Sequence, residues 1–346
     1  MNHSFRMSGE TRKKWRAFRR HRRGFYSLVI MGTLVFLSLF AGLYANSKPL
    51  VIFFEGAFYF PLVREYPETT FGGDFATEAT YQDPYVKELI TEGDNWAIYP
   101  PIAWDFKTIN FAAEHPHPSP PTAVNLLGTD DRGRDVLARL IYGFRVSIFF
   151  GLLLATIGTV LGIMVGAAQG FVGGWPDLIG QRAIEVWSSI PTLYLLIFLS
   201  AILTPSIPLL ILLLSLFSWI GLSFFVRAEF LRARNFEYVR AARAVGVSNF
   251  TIIRKHILPN TLTPVITFFP FEVAGAIFGL TALDFLNLGV PSPTPSLGEL
   301  LRQSQANVEA WWMSLTTFFV LVAMIVLTNF IGEGLLQAFD PRRRGG

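Results

Sequence analysis

The residues that could do chemistry in this 346-residue chain are few, and most kinds of enzymatic site are excluded at once. There is no cysteine, which rules out disulfides, thiol nucleophiles and Cys-based metal centres. His115 and His117 form an H-x-H among Pro116, Pro118, Pro120 and Pro121, but no third ligand accompanies them, so no metal is expected. No Gly-Lys-Ser/Thr phosphate loop, H-E-x-x-H or G-x-S-x-G occurs, so no enzymatic role and no bound cofactor are expected of this chain. The informative groups are carboxylates in apolar surroundings: Glu185, Glu272 and Asp284. An ionised carboxylate inside a bilayer is expensive, so such a group faces a cavity or finds a partner. Glu185 and Asp284 fall near the ends of apolar runs. Glu272 falls near the middle of one, either as a cavity-facing polar site or as a neutral, hydrogen-bonded packing residue.

Those apolar runs are the elements that must position everything else. A bilayer core about 30 Å thick takes about 20 apolar residues at helical rise. Lys, Arg, Asp and Glu are all absent from 24–47, 146–176, 186–226 and 310–332. The 186–226 run is long enough for two spans, and Thr204, Pro205, Ser206, Ile207 and Pro208 break it into a helical hairpin. A further apolar segment from Leu262 to Asp284 carries Glu272. Six transmembrane helices result, at 25–45 and about 146–170, 184–203, 208–227, 262–284 and 311–332. In the second, Gly158, Gly162, Gly166 and Gly170 recur every fourth residue and strip one helix face of side chains. That face suits close helix packing within the subunit, or a place at the substrate path or a subunit interface. Gly275 and Gly279 repeat the spacing in the fifth span.

Charge orients the spans. Residues 1–24 hold nine Lys/Arg, among them Arg12, Lys13, Lys14, Arg16, Arg19, Arg20, Arg22 and Arg23, against one acid. Next to an apolar run this fits the positive-inside rule better than a nucleic-acid arm. Leu43-Tyr44-Ala45 would pass as a signal-peptidase site, but the apolar stretch is longer than a signal h-region, and an uncleaved anchor is expected. Both termini then lie in the cytoplasm, and 20 of the 29 Lys/Arg fall on that side, including Arg182 and Arg342–Arg344. Arg132, Arg134, Arg139 and Arg145 fall outside, which long translocated loops tolerate. Residues 46–140 form an outside insertion rich in aromatics and acids, with a proline-stiffened stretch and an amphipathic lead-in (Val136, Leu140, Ile141, Phe144) to the second span. Its composition favours an ordered subdomain. The remaining core, 141–340, contains an inside loop at 230–259.

That loop has the grammar of two short helices. Asn235 is placed to cap the first, Glu237 sits in its first turn, and Gly246 is placed to end it in a left-handed conformation. Ser248 caps a second helix expected to stop by Pro259. Tyr238, Ala241, Ala242 and Val245 form a stripe of mostly small residues flanked by Arg240 and Arg243, suited to a groove on another protein or to a membrane surface.

The same segment resembles the Glu-Ala-Ala loop of ABC importer permeases. Ala241, Ala242, Gly246, Leu258 and Pro259 match its register; Arg240 replaces the Glu and His256 an Ile, as in the peptide-importer branch. Gly128-Thr-Asp-Asp-Arg-Gly-Arg-Asp135 with its continuation to Ser147, and the Leu283–Leu300 stretch with Asn287 where Gly is usual, resemble blocks of the second permease subunit of dipeptide and oligopeptide importers. The long insertion, with Tyr81-Gln-Asp-Pro-Tyr85 and Ile109-Asn-Phe-Ala112, is similar to Yej-type permeases associated with peptide and microcin C uptake. The resemblance implies an all-α integral membrane protein of MetI-like type I ABC permease fold, with an extra N-terminal helix and a periplasmic insertion. It implies a second permease subunit, ATPase subunits or a fused ATPase that carry ATP and Mg, a periplasmic peptide-binding protein, an inner-membrane location and no nucleic acid. The 230–259 loop would be the coupling helix that docks on the ATPase. A secondary transporter using Glu272 in ion coupling, or a membrane-anchored periplasmic binding protein or enzyme, are the alternatives; the anchored protein leaves that loop unexplained.

Overall fold

In lipid every backbone N–H and C=O must be satisfied within the segment that carries it, so apolar runs of this length fold as helices. The computed structural model describes residues 9–113 and 115–339. Arg342–Arg344 and the first eight residues lie outside the described residues. In chain order the helices begin with α1 (Gly9–Arg20), α2 (Arg22–Leu39) and the single turn α3 (Ala41–Tyr44). Strands β1 (Val51–Phe54) and β2 (Ala57–Tyr59), helix α4 (Pro84–Thr91) and strand β3 (Trp96–Ile98) follow. Then come α5 (Val136–Val172), α6 (Gly174–Ser188), α7 (Thr192–Ser200), α8 (Ile207–Ser218), α9 (Ile220–Ala233) and α10 (Glu237–Ala244). The chain closes with α11 (Asn249–Thr251), a π-helical turn (Ile252–Ile257), α12 (Leu258–Phe285), α13 (Leu297–Ala306) and α14 (Trp311–Phe339). Among the described residues five helices are long and apolar enough to cross a membrane, or six if the bent pair α6–α7 counts as one span.

Several elements differ from the spans expected at 25–45, 146–170 and 184–203. The first helix stops at Leu39. The second span and its lead-in are one helix that starts at Val136. The third is not one rod: α6 and α7 meet at 56°. Pro191 explains the break, since it offers no N–H and clashes with the carbonyl four residues back. Ser206 caps α8 by accepting from the Leu209 N–H (3.3 Å), with Pro208 in the first turn, where its missing donor costs nothing. The helix begun at Ser248 does not stop by Pro259. It continues through the π turn into α12, and the wider turn accommodates a proline that a regular ladder would reject.

The chain divides into two units. One takes the described parts of Met1–Thr33, Ser147–Val290 and Val322–Gly346; the other takes Leu34–Val146 and Pro291–Leu321. In the second unit the insertion adds three short strands to an otherwise helical chain. They form an antiparallel sheet in the order β2-β1-β3, with Phe53 opposite both Phe58 and Trp96. Ile52 and Phe54 point the other way, into a core with Phe71, Tyr81, Val86 and Ile90. Asp83 caps α4 by accepting from the Tyr85 N–H (2.8 Å), with Pro84 in the first turn.

In the first unit the glycine face of α5 lies against the end of α8 and α9. A Cβ added at Gly158 would stand 2.7 Å from Ser218 Oγ, at Gly162 3.0 Å from the Trp219 carbonyl oxygen, at Gly166 2.5 Å from the Ser223 carbonyl oxygen, and at Gly170 2.5 Å from the Arg227 carbonyl oxygen. Four-residue steps on one helix meet roughly four-residue steps on the other, and the backbones touch. Gly275 and Gly279 do not repeat this: neither has any neighbour within 4 Å. Replacing Gly166 by leucine should therefore cost at least about 2–3 kcal/mol through overpacking, while leucine at Gly279 should leave stability within about 1 kcal/mol. Thermal unfolding of the purified subunit checks the contrast, and equal losses at the two positions would refute it.

Candidate functional site

The 230–259 loop is built outward from α9. Leu222, Val226, Phe230 and Ala233 form a buried cluster with Ala167 and Phe171 of α5, Ile252 and Ile257 of the π turn, and Val265 of α12. Into this cluster α10 inserts Val239, fully buried, with Ala242 half-buried beside it. Arg243 lies over the Phe171 ring, 4.8 Å from its centroid. The opposite face is open: Tyr238 is 40 % and Val245 83 % exposed, and Arg240 and Ala241 are exposed with them. The expected stripe is thus divided, with Ala242 turned inward and Tyr238, Ala241 and Val245 outward.

The ends of α10 are set locally. Gly246 has φ +82°; its N–H donates to the Arg243 carbonyl (3.0 Å) and the Val247 N–H to the Ala242 carbonyl (3.1 Å). This is the paired bonding of a Schellman turn, which requires a left-handed residue at that place. Asn235, by contrast, is not the N-cap. Phe236 occupies that position without a side-chain bond, and Asn235 Nδ2 donates back to the Leu231 carbonyl (3.2 Å), tying it to the end of α9. Ser248 does cap its helix, accepting from the Thr251 N–H (3.4 Å). His256 and Leu258 are half-buried and Pro259 is exposed, all within the π turn and the first turn of α12.

Behind the loop, Arg227 of α9 grips Asp177 of α6 through both nitrogens, Nε to Oδ1 at 2.5 Å and a terminal nitrogen to Oδ2 at 2.6 Å. Such bidentate pairs fix orientation as well as distance. Neither residue stands out in sequence, because they are 50 positions apart. Glu185 pairs with Arg182 (2.5 Å) on an exposed face. Asp284 is buried and accepts from the Val290 N–H (2.8 Å), closing the turn after α12. Asn287 takes the left-handed position there, φ +60°, the place where glycine is usual.

Glu272 lines a cavity of about 530 Å³ bounded by α5, α7, α8, α9 and α12. Gly275 and Gly279 lie on its side of α12, and Thr159, Thr192 and Ser218 are its other polar residues. It is the one charged residue in that lining, and no hydrogen bond or ion pair holds it among the described residues. Ser218 Oγ is buried without a partner in the same wall.

In the other unit, two sequence blocks more than 150 residues apart meet. Arg134 binds Asp130 (Nε to Oδ2, 2.7 Å) and Glu299 Oε1 (3.2 Å), and Arg139 binds Glu299 Oε2 (2.5 Å) and the Phe106 carbonyl (3.1 Å). Arg139 Nε stands 3.4 Å from Asp130 Oδ2 without the alignment of a hydrogen bond. Burial works against the Arg134 charge, but Asp130 and Glu299 outweigh it and hold its pKa above the ordinary value. Asp135 begins α5 by accepting from the Ala138 N–H (2.7 Å) and also takes Asn125 Nδ2 (2.9 Å). His117 has both ring nitrogens engaged, with Thr129 Oγ1 (3.1 Å) and the Asn110 carbonyl (2.9 Å), so it braces this loop. No group of three or more His, Asp or Glu fit to hold a metal occurs among the described residues.

A membrane domain with a short amphipathic helix mounted on its helical core is the form of a transporter's pore subunit. The chain belongs to the binding-protein-dependent transport system inner membrane components, whose family model matches residues 158–345. It is 47 % identical to the inner membrane ABC transporter permease protein YejE of Escherichia coli K12, over 98 % of this chain and 99 % of that one. It is 43 % identical to the peptidoglycan transport system permease protein YejE of Agrobacterium fabrum, over 97 % and 94 %. The dipeptide transport system permease protein DppC of Bacillus subtilis is 36 % identical, over 65 % and 71 %. The chain is therefore a multi-pass inner-membrane ABC permease, working with ATPase and binding-protein partners.

The buried four-charge cluster yields a direct expectation. Glu299→Gln leaves two buried guanidinium groups sharing a single carboxylate, which should cost about 3–5 kcal/mol. Thermal unfolding of the purified subunit measures it, and a loss below about 1 kcal/mol would show that the cluster does not hold the two blocks together.

Proposed function

We propose that this chain is one half of the transmembrane pore of an ATP-driven importer of peptides or peptide-like compounds, paired with a second, different permease subunit. Two of its relatives are named for peptidoglycan and dipeptide transport, which points to cargo with a peptide backbone. On this reading both termini and α10 face the cytoplasm, residues 46 to about 121 meet the binding protein or the partner permease, and ATP with its Mg is bound and hydrolysed on the ATPase subunits. The observation that carries the reading is the mounting of α10: one face is locked by Val239 and Arg243 into the cluster that joins α5, α9 and α12, and the other, with Tyr238, Ala241 and Val245, is free to enter a groove. A push on α10 then moves whole helices, because close-packed cores transmit displacement.

Gly246 offers the cleanest test, since a side chain there meets no atom within 4 Å and only the left-handed backbone is at issue. Gly246→Val costs about 1–2 kcal/mol in that conformation and should misalign α10. In proteoliposomes the expected result is ATP hydrolysis retained with peptide uptake reduced at least about tenfold, since misplacements of this size carry such costs. Full uptake would sink the assignment.

Glu272 offers the cavity's negative charge to the cationic amino terminus of a peptide. Glu272→Gln should raise the half-saturating concentration for free peptides about tenfold, as loss of one charge-assisted contact does, and leave amino-acetylated peptides unchanged. Equal effects on both kinds of peptide would remove this role.

A further inference from the structure

The cationic segment before the first span is itself a built element, and its role goes beyond setting topology. Helix α1 does not run straight on into α2. His21 breaks the two, and its Nδ1 accepts the Gly24 N–H (3.1 Å), capping α2 from the corner. Beyond the corner α1 is fastened to the end of α14. Phe18 is 2 % exposed and seated at Gly334, where a Cβ would meet it at 2.8 Å, and Lys14 lies over the Phe339 ring, 4.8 Å from its centroid. Gly24 and Gly334 face each other, so the backbones of α2 and α14 come together beneath the corner.

With Phe18 turned inward, the rest of α1 presents charge. Arg12, Arg16 and Arg20 recur every fourth residue, with Lys13 beside them on the same side of the helix, and all are exposed. Arg19, Arg22 and Arg23 are exposed as well, and none of these seven cations pairs with a carboxylate among the described residues. Trp15, 41 % exposed, stacks on Phe18 at 5.7 Å and meets Phe25 at 6.3 Å, at the junction of the charged helix and the span. Tryptophan at such a junction sits at headgroup depth.

We infer that α1 lies in the membrane interface and that its Arg12–Lys13–Arg16–Arg20 face binds the phosphates of anionic phospholipid. Two features favour lipid over other polyanions: the face is continuous with a membrane span, and Trp15 stands between the two. A cationic helix at the mouth of a span, with the half-exposed Trp15 between the two, has the charge and aromatic placement of an interfacial segment, and each basic residue adds to the attraction for an anionic surface. Because α1 ties α2 to α14, occupancy by lipid would brace these two helices. The inference does not depend on the cargo or on which side the termini lie.

The chain has no cysteine, so Ala17→Cys, on an exposed position of α1, carries a single nitroxide in this subunit. The full transporter, with cysteine-free partners, is placed in nanodiscs of phosphatidylethanolamine with or without about 30 % phosphatidylglycerol, the anionic lipid against which such segments are judged. Phosphatidylglycerol should slow the label and shield it from a water-soluble relaxant. The quadruple variant R12Q/K13Q/R16Q/R20Q should lose most of that response at the same phosphatidylglycerol content. The charge-preserving variant R12K/K13R/R16K/R20K should respond as the parent does, which separates charge from a folding defect. A label that ignores phosphatidylglycerol, or an unchanged response in the glutamine variant, would overturn the proposal. So would a label that is slowed only by an added oligonucleotide.

Discussion

The contact on which the rest of the permease core depends is the approach of α5 to α9. Apolar helices in lipid gain nothing from burying apolar surface, so their association rests on close van der Waals packing and on polar contacts across helices. Gly162, Gly166 and Gly170 let the carbonyls of Trp219, Ser223 and Arg227 come within reach of the α5 backbone. With α9 held there, Arg227 reaches Asp177, and Phe230 and Ala233 complete the cluster that receives Val239. Helix α10 is thereby an outgrowth of a helix–helix contact, and its position follows that of α5 and α12.

Charge is distributed by the same economy. Arg134 and Arg139 are buried against Asp130 and Glu299, the half-buried Arg227 grips Asp177, and Arg145 lies over the Tyr142 ring with a bond to the Ser38 carbonyl. Three of the arginines expected outside, Arg134, Arg139 and Arg145, are thus each held by partners within the fold. Against that background Glu272 has no partner among the described residues and lies in a cavity wall otherwise of apolar and small polar groups.

Local chemistry was read well where a few adjacent residues decide the conformation. Gly246, Ser248 and the Pro205–Pro208 hairpin took the roles their types dictate, since a left-handed turn, a cap or a missing N–H acts within one helical turn. The errors arose where two local signals competed. Asn235 could cap α10 or bond back to α9, and the Leu231 carbonyl won. Pro259 could stop a helix or be carried by a π turn, and the buried Ile252 and Ile257 before it and Val265 after it favour continuity. Pro191 bends an apolar run whose composition by itself suits a straight span.

Although several helix bounds differ from those expected, the sequence by itself determined that the chain lives in a membrane, that its long apolar runs are helical, and that a short helix closed by Gly246 interrupts them. These are properties of composition and of contacts within one turn, and they survive whatever the rest of the chain does. Only the tertiary structure decided which face of α10 is anchored and which is free, that Gly275 and Gly279 border a cavity while Gly162 to Gly170 are filled by a neighbour, and that Arg134 and Arg139 share Glu299 from 165 and 160 residues away. Such pairings are set by how helices pack, and identical spacing in two helices can meet a backbone in one and open space in the other.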